Sequence, residues 1–251
     1  MNTNLSPDTK ISTTISNESQ HIHLPVQVPI DERPLHGNQG NREISHLPFA
    51  PQGMTIVLHA EVGCRAETIA RGIGKKLGWE VINTDHLEYL CANEVEHKLL
   101  PENLSGPAQK WAQTWIANNH FRIDKNNPKA FILTEVVFHL AGLGNLIILN
   151  SSAGSYLPAE TTVHVQIIAP IEERIRYLTQ EFRLSQSSAE KWIEHSEELQ
   201  QDLLFSQFHQ QKSIAPTVDL VLNSGRLHED ICIEMVISVL KSKYDLLISS
   251  K

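Results

Sequence analysis

The sequence lacks any long apolar run. The longest, such as Leu146-Ile147-Ile148-Leu149, fall far short of the roughly 20 residues that span a bilayer. The first 20 residues are polar, rich in Ser, Thr, Asn and Asp, without a continuous apolar stretch, so no signal peptide is expected. Cysteine is scarce: Cys64, Cys91 and Cys232 are odd in number and widely spaced, which excludes a full disulfide set and a zinc ribbon. A reducing cytoplasm is the expected location. Positive charge is also short, 21 Lys and Arg against 29 Asp and Glu, for a net charge of −8. That balance excludes a general binder of duplex nucleic acid and leaves room only for a local phosphate pocket.

Apolar residues are unevenly distributed over the 251 positions. Residues 1–53 hold 14 apolar residues and six of the 12 prolines, too little apolar surface to offset the entropy of ordering. This stretch is expected to be a disordered N-terminal arm, and residues 54–248 the folded domain. Within the arm, His21 to Ile30 alternates apolar and other residues as an extended docking segment would, while a disordered leader with chance alternation is the plainer reading. A protein partner is expected, with the arm as one route to it. His21 and His23 alone are too few ligands for a metal site, and none is expected.

From residue 54 the pattern is that of a layered α/β domain. Met54 to His59 is a β-branched apolar run typical of a buried parallel strand. A turn over residues 60–64 leads into a helix with Ala66, Ile69, Ala70, Ile73 and Leu77 on one face, closed by Gly78. Glu80 to Ile82 reads as a second strand, with Asp85 as the acidic cap of the next helix. Residues 86–143 read as helical, in three helices, with Trp111 and Trp115 packing a core. Strands are expected over 146–149, 163–168 and 218–223. Helices are expected from Pro170, over about 186–211, and from His228 to the end.

In parallel sheets ligands bind beyond the carboxyl ends of the strands, and the first strand-to-helix turn is the prime position. Here it comprises Glu61, Val62, Gly63, Cys64, Arg65, Ala66, Glu67 and Thr68. A helix N-terminus attracts phosphate, yet the G-x-x-x-x-G-K-[ST] signature is absent. A helix start can lower the thiol pKa of Cys64, but a nucleophilic role needs a nearby base and His59 is only a sequence neighbour, so no such role is expected.

The run from Glu61 to Ala70, with Lys76-Leu77-Gly78 and Val81-Ile82-Asn83, resembles the opening of the cytidylate-kinase-like family, roughly E-Y-G-S-G-G-R-E-I-A followed by K-L-G. Val163 to Pro170 and then Ile171-Glu172-Glu173-Arg174-Ile175-Arg176 match that family's strand, A-P and E-x-R-I-R passage. Asp219 to Leu227 matches its D-L-V-L-N-T-S-R-L ending. The resemblance spans about residues 54–240. It implies a P-loop kinase-like three-layer fold with a mostly parallel sheet, a helical acceptor-side insert (about 86–143) and a lid (about 186–211). It further implies ATP and Mg²⁺ over residues 61–68, an acceptor side holding Asn83, Asp85 and Ser151, and a cationic clamp from Arg174, Arg176 and Arg183. Arg174 equally suits an ion pair with Glu173 or a neighbouring helix.

The departures from the family pattern fall on the chemistry. Cys64-Arg65-Ala66-Glu67 replaces S-G-G-R, removing two glycines and turning an arginine into Glu67. Ser151 stands where the family has an arginine. Residues 196–211 carry Glu197, Glu198, Gln200, Gln201, Asp202, Phe205 and His209 but no arginine. Phosphoryl transfer relies on positioning and cationic stabilisation. The expected function is therefore a catalytically impaired binding or regulatory module. A divergent ATP-dependent kinase for a nucleotide or other small acceptor is the alternative, and a nucleotide sensor without turnover a further one.

Overall fold

The short apolar runs form strands and the amphipathic stretches form helices. A computed structural model describes residues 50–119, 127–150, 152–208 and 218–249. The arm up to residue 49, Ser151 and His209 lie outside the described residues, as do the side chains of Gln200, Gln201, Asp202 and Phe205. The strands are β1 (Thr55–Ala60), β2 (Glu80–Ile82), β3 (Leu146–Leu149), β4 (Thr162–Ile168) and β5 (Leu220–Asn223). The helices are α1 (Ala66–Leu77), α2 (Thr84–Ala92), α3 (Glu94–Leu99), α4 (Gly106–Asn119), α5 (Pro128–Leu143), α6 (Ile171–Glu181), α7 (Gln186–Phe208) and α8 (Glu229–Ser249).

The strands form one parallel sheet in the order β2-β3-β1-β4-β5. Thr55 is in register with Leu146 on one side and Thr162 on the other. Strands buried on both faces explain the unbroken apolar runs. On one face Ile56, Leu58, Ile147, Val165 and Leu222 pack with α1 and α8 residues such as Ile69, Ile73, Cys232 and Val236. On the other, Val57, Leu146 and Ile148 pack with Leu87, Trp111, Val137 and Phe138. This is the three-layer P-loop kinase-like arrangement that the resemblance implies. Trp111 stacks obliquely on Phe138 at 6.2 Å and Trp115 packs beside it, as core residues do.

Three expectations are corrected. Among the described residues the insert between β2 and β3 holds four α-helices rather than three, because Asn93 ends α2 and caps α3, its side chain accepting from the Val95 and Glu96 N–H groups. The cap of α2 is Asn83, whose Oδ1 accepts from the His86 N–H at 2.9 Å; Asp85 is an exposed residue of the first turn. The last strand starts at Leu220 rather than Val218, because Asp219 turns its carboxylate inward to the His164 N–H (2.8 Å) and Lys243 (2.6 Å). Gly78 closes α1 in the left-handed conformation at φ 69°, as expected. Residues 50–53 also pack: Ala50, Pro51 and Gly53 are buried and the Gln52 N–H donates to the Gly142 carbonyl at 2.8 Å. No helix among the described residues is long and apolar enough to cross a membrane.

Candidate functional site

The turn between β1 and α1 is held from three sides. The Cys64 N–H donates back to the Glu61 carbonyl at 3.2 Å. Gly63 adopts φ 88°, and a Cβ there would come within 2.9 Å of both the Cβ and the carbonyl oxygen of Arg174, so the turn lies directly against α6. From the far side, the buried Ser224 hydroxyl donates to the Cys64 carbonyl at 2.8 Å. The family's L-N-T-S-R-L-like ending therefore has a physical task here, tethering the loop to the end of β5. Arg65 enters α1 with left-handed geometry (φ 56°, ψ 21°), and its side chain caps nothing. Its guanidinium sits 5.8 Å from the Tyr177 ring centroid and 3.8 Å from Glu229.

Arg174 is the centre of the site. Its side chain is only 5 % exposed. Nε donates to the Val62 carbonyl at 2.7 Å, fixing the loop backbone. Nη1 meets two carboxylates, Glu197 of α7 at 2.7 Å and Glu61 of the loop at 3.3 Å. Nη2 is buried and has no hydrogen-bond partner among the described residues. Val62 also joins the small apolar cluster between α6 and α7, formed around Leu178, Ala189 and Ile193. The first half of the lid-like helix and the loop thus share one apolar cluster and place their carboxylates on the same α6 arginine.

The other predicted residues have more ordinary places. Arg176 pairs with Glu173 in its own helix at 2.8 Å, and Arg183 is exposed at the corner after α6 with φ 53°. Of the proposed clamp, Arg174 alone is bonded to the loop among the described contacts. The Glu173 pairing suggested for Arg174 belongs to Arg176. Glu67 lies in the first turn of α1, and Thr68 is hydrogen-bonded to Tyr177. The Cys64 thiol is raised rather than lowered: burial, reinforced by Glu61, pushes it up to about 12, so Cys64 is an inert core residue and no nucleophile.

One part of the site was not read from the sequence. Beyond the ends of β1 and β3, the Ala60 N–H donates to Asn150 Oδ1 at 2.9 Å, and His59 Nε2 lies 3.5 Å from the Ser155 hydroxyl. Burial, then the His164 imidazole, lowers the His59 pKa to about 4. His59 carried no motif; only its place at the end of a predicted strand pointed to it.

Chemically, the loop resembles an anion site filled by its own chain. The first turn of α1 offers unpaired N–H groups, but Glu67 sits in that turn, and no lysine occurs over residues 61–68. The buried cation beside the loop, Arg174, is already held by Glu61 and Glu197, and Arg65 leans on Tyr177 and Glu229. In this arrangement the residues present do not fit a magnesium–nucleoside triphosphate. Among the described residues no group of three or more His, Cys, Asp or Glu side chains is placed to hold a metal ion.

Residues 55–226 match the cytidylate kinase-like family. The comparison with curated proteins returns no match. Among solved structures, an uncharacterized protein from Eubacterium ventriosum ATCC 27560 is similar at a TM-score of 0.54 and 11 % identity, over 75 % of this chain and 99 % of that one. Shikimate kinase from Acinetobacter baumannii in complex with shikimate aligns at a TM-score of 0.40 and 10 % identity, over 76 % of this chain and 94 % of that one. Deoxyadenosine kinase from M. mycoides aligns at 0.35 and 13 %, over 75 % of this chain and all of that one, 100 %. With more than half of its length matched by the family profile, the chain belongs to the cytidylate kinase-like family.

Proposed function

We propose that this chain is a catalytically impaired member of its family that works as a binding or regulatory module in the cytoplasm, with a protein partner taken through the N-terminal arm. The observation that carries the reading is the commitment of Arg174. In an active phosphoryl-transfer site a cation of this kind is free to stabilise the transferring group, and such clamps contribute orders of magnitude in rate. Here the guanidinium is bonded to a backbone carbonyl and two carboxylates. Glu67 at the helix start and Ser151 in place of an acceptor-side arginine point the same way. Nucleotide binding without turnover is a second reading, favoured by the unpartnered Nη2 of Arg174.

The test is phosphoryl transfer by the full chain, with ATP, Mg²⁺ and each common nucleoside monophosphate, beside an active family member. Negligible transfer is expected. A robust rate that Arg174→Ala abolishes would overturn the reading in favour of a divergent kinase.

A further inference from the structure

We infer that Glu197 is a built-in anion that latches α7 over the β1–α1 turn, and that a phosphate-bearing ligand opens the latch by competing for Arg174. The inference rests on the proposed reading only for the class of the competing ligand. Three observations carry it. First, Glu197 makes the shorter of the two carboxylate contacts on Nη1, 2.7 Å against 3.3 Å for Glu61. Second, the buried guanidinium is incompletely used: among the described residues Nη2 has no acceptor. A buried donor left unpaired is unfavourable, and a planar guanidinium favours a bidentate anion. If Glu197 leaves, Nη1 keeps Glu61 at 3.3 Å and regains an N–H, which together with the unused Nη2–H offers an incoming phosphate a fork.

Third, the two carboxylates are not equally free to leave. Glu61 belongs to the turn whose Val62 carbonyl Arg174 anchors, so it stays wherever the turn stays. Glu197 belongs to α7, outside the anchored turn; exposure does not separate the two, at 43 % against 40 % for Glu61. The two helices meet at a defined corner. Phe182 ends α6, Arg183 turns with φ 53°, and Phe182 packs edge-on against Trp192 of α7 at 5.2 Å. Among the described contacts, release of Glu197 therefore leaves α7 held to α6 by that apolar cluster. No covalent bond is made or broken; a carboxylate is exchanged for another anion on one guanidinium.

The experiment uses the full chain and inorganic pyrophosphate as probe. Calorimetric titration compares wild type, Glu197→Gln and Glu194→Gln, the last removing the same charge from an exposed site on the same helix. Glu197→Gln should bind pyrophosphate at least about fivefold tighter than wild type, while Glu194→Gln should stay within about twofold, since coupling between close charge pairs greatly exceeds that of exposed ones. Equal effects of the two variants, or none, overturn the latch. Should Glu197→Gln fail to fold, amide hydrogen exchange of the wild type decides. Saturating pyrophosphate must speed exchange across residues 186–199, and unchanged or slower exchange overturns the inference. Kinase turnover by the wild type would sink the impaired reading and leave this binding ratio untouched. A failed ratio in a protein without turnover sinks the latch alone.

Discussion

Arg174 and Val62 are bonded side chain to backbone, with Nε donating to the loop carbonyl at 2.7 Å. An arginine from α6 thus fixes a turn that lacks two of the family pattern's glycines, which makes it a stability residue. Removing one partner of a fully buried ion pair costs about 3–5 kcal/mol. Here Glu61 and Glu197 are 40 % and 43 % exposed and regain water when released. Arg174→Ala should therefore lower unfolding free energy by about 2–3 kcal/mol, and Arg174→Lys should recover less than half, because an ammonium cannot reproduce the planar fork. Urea denaturation midpoints check both. An unchanged midpoint for the alanine variant would contradict the clamp.

Gly63 is constrained twice, by φ 88° and by α6 beneath it. Alanine there adds left-handed strain and a methyl group within 2.9 Å of Arg174 backbone and side-chain atoms. The expected loss is about 2–4 kcal/mol, the sum of a conformational and an overpacking term. Denaturation of Gly63→Ala beside Gly78→Ala separates them, since a Cβ at Gly78 meets nothing within 4 Å. Equal losses in the two variants would show that the Arg174 contact contributes nothing.

The scaffold was legible where local signals sufficed. Leu146–Leu149 is legible as a four-residue apolar run, and Glu80–Ile82 as a short stretch ending in Val81-Ile82 between the Gly78 cap and Asn83. The α1 boundaries followed from apolar spacing and Gly78. Misreadings arose where one residue type serves two tasks. Asn93 closes one helix and opens another without breaking the helical pattern, and Asn83 outcompetes Asp85 as cap because it stands one position before the first helical turn. The degenerate loop was visible as missing glycines and lysine. What replaces them was not, because Glu61, Arg174 and Glu197 meet only through tertiary packing. For Cys64 the helix start alone would favour a lowered thiol pKa, but the core desolvates the thiol and raises it, which only tertiary packing reveals.

Acid should weaken the fold through buried imidazoles. His139 on α5 is buried, its Nδ1 has no hydrogen-bond partner among the described residues, and burial followed by His97 lowers its pKa to about 4. His59 is lowered to about 4 by burial and then His164. The unfolded chain, with imidazoles near 6.5, binds more protons than the native state between those values. Stability contributed by the neutral imidazoles is therefore present above about pH 6.5 and is lost as pH falls towards 4, by up to about 2–3 kcal/mol per group. Urea midpoints between pH 7 and pH 4.5 should show the fall, and His139→Leu should flatten it. A variant with the wild-type slope would remove His139 from the account.

Arg65 offers the sharpest test of the loop's backbone. A non-glycine residue at φ 56° carries about 1 kcal/mol of strain, which glycine does not. Against that relief stand two weak attachments. The Glu229 contact at 3.8 Å is partly exposed and worth about 0–1 kcal/mol. The Tyr177 ring contact at 5.8 Å is worth about 0.5–1 kcal/mol. Arg65→Gly loses both attachments and the strain together, so its unfolding free energy should stay within about 1 kcal/mol of the wild type. Arg65→Ala loses the same attachments and keeps the strain, so it should fall about 1 kcal/mol below the glycine variant. The order of the two variants, rather than either value, carries the information, because the lost contacts cancel between them. Denaturant midpoints with a common slope give that order directly. An alanine variant as stable as the glycine one would mean that Arg65 does not hold left-handed geometry in solution, and that the entry into α1 differs from the one described.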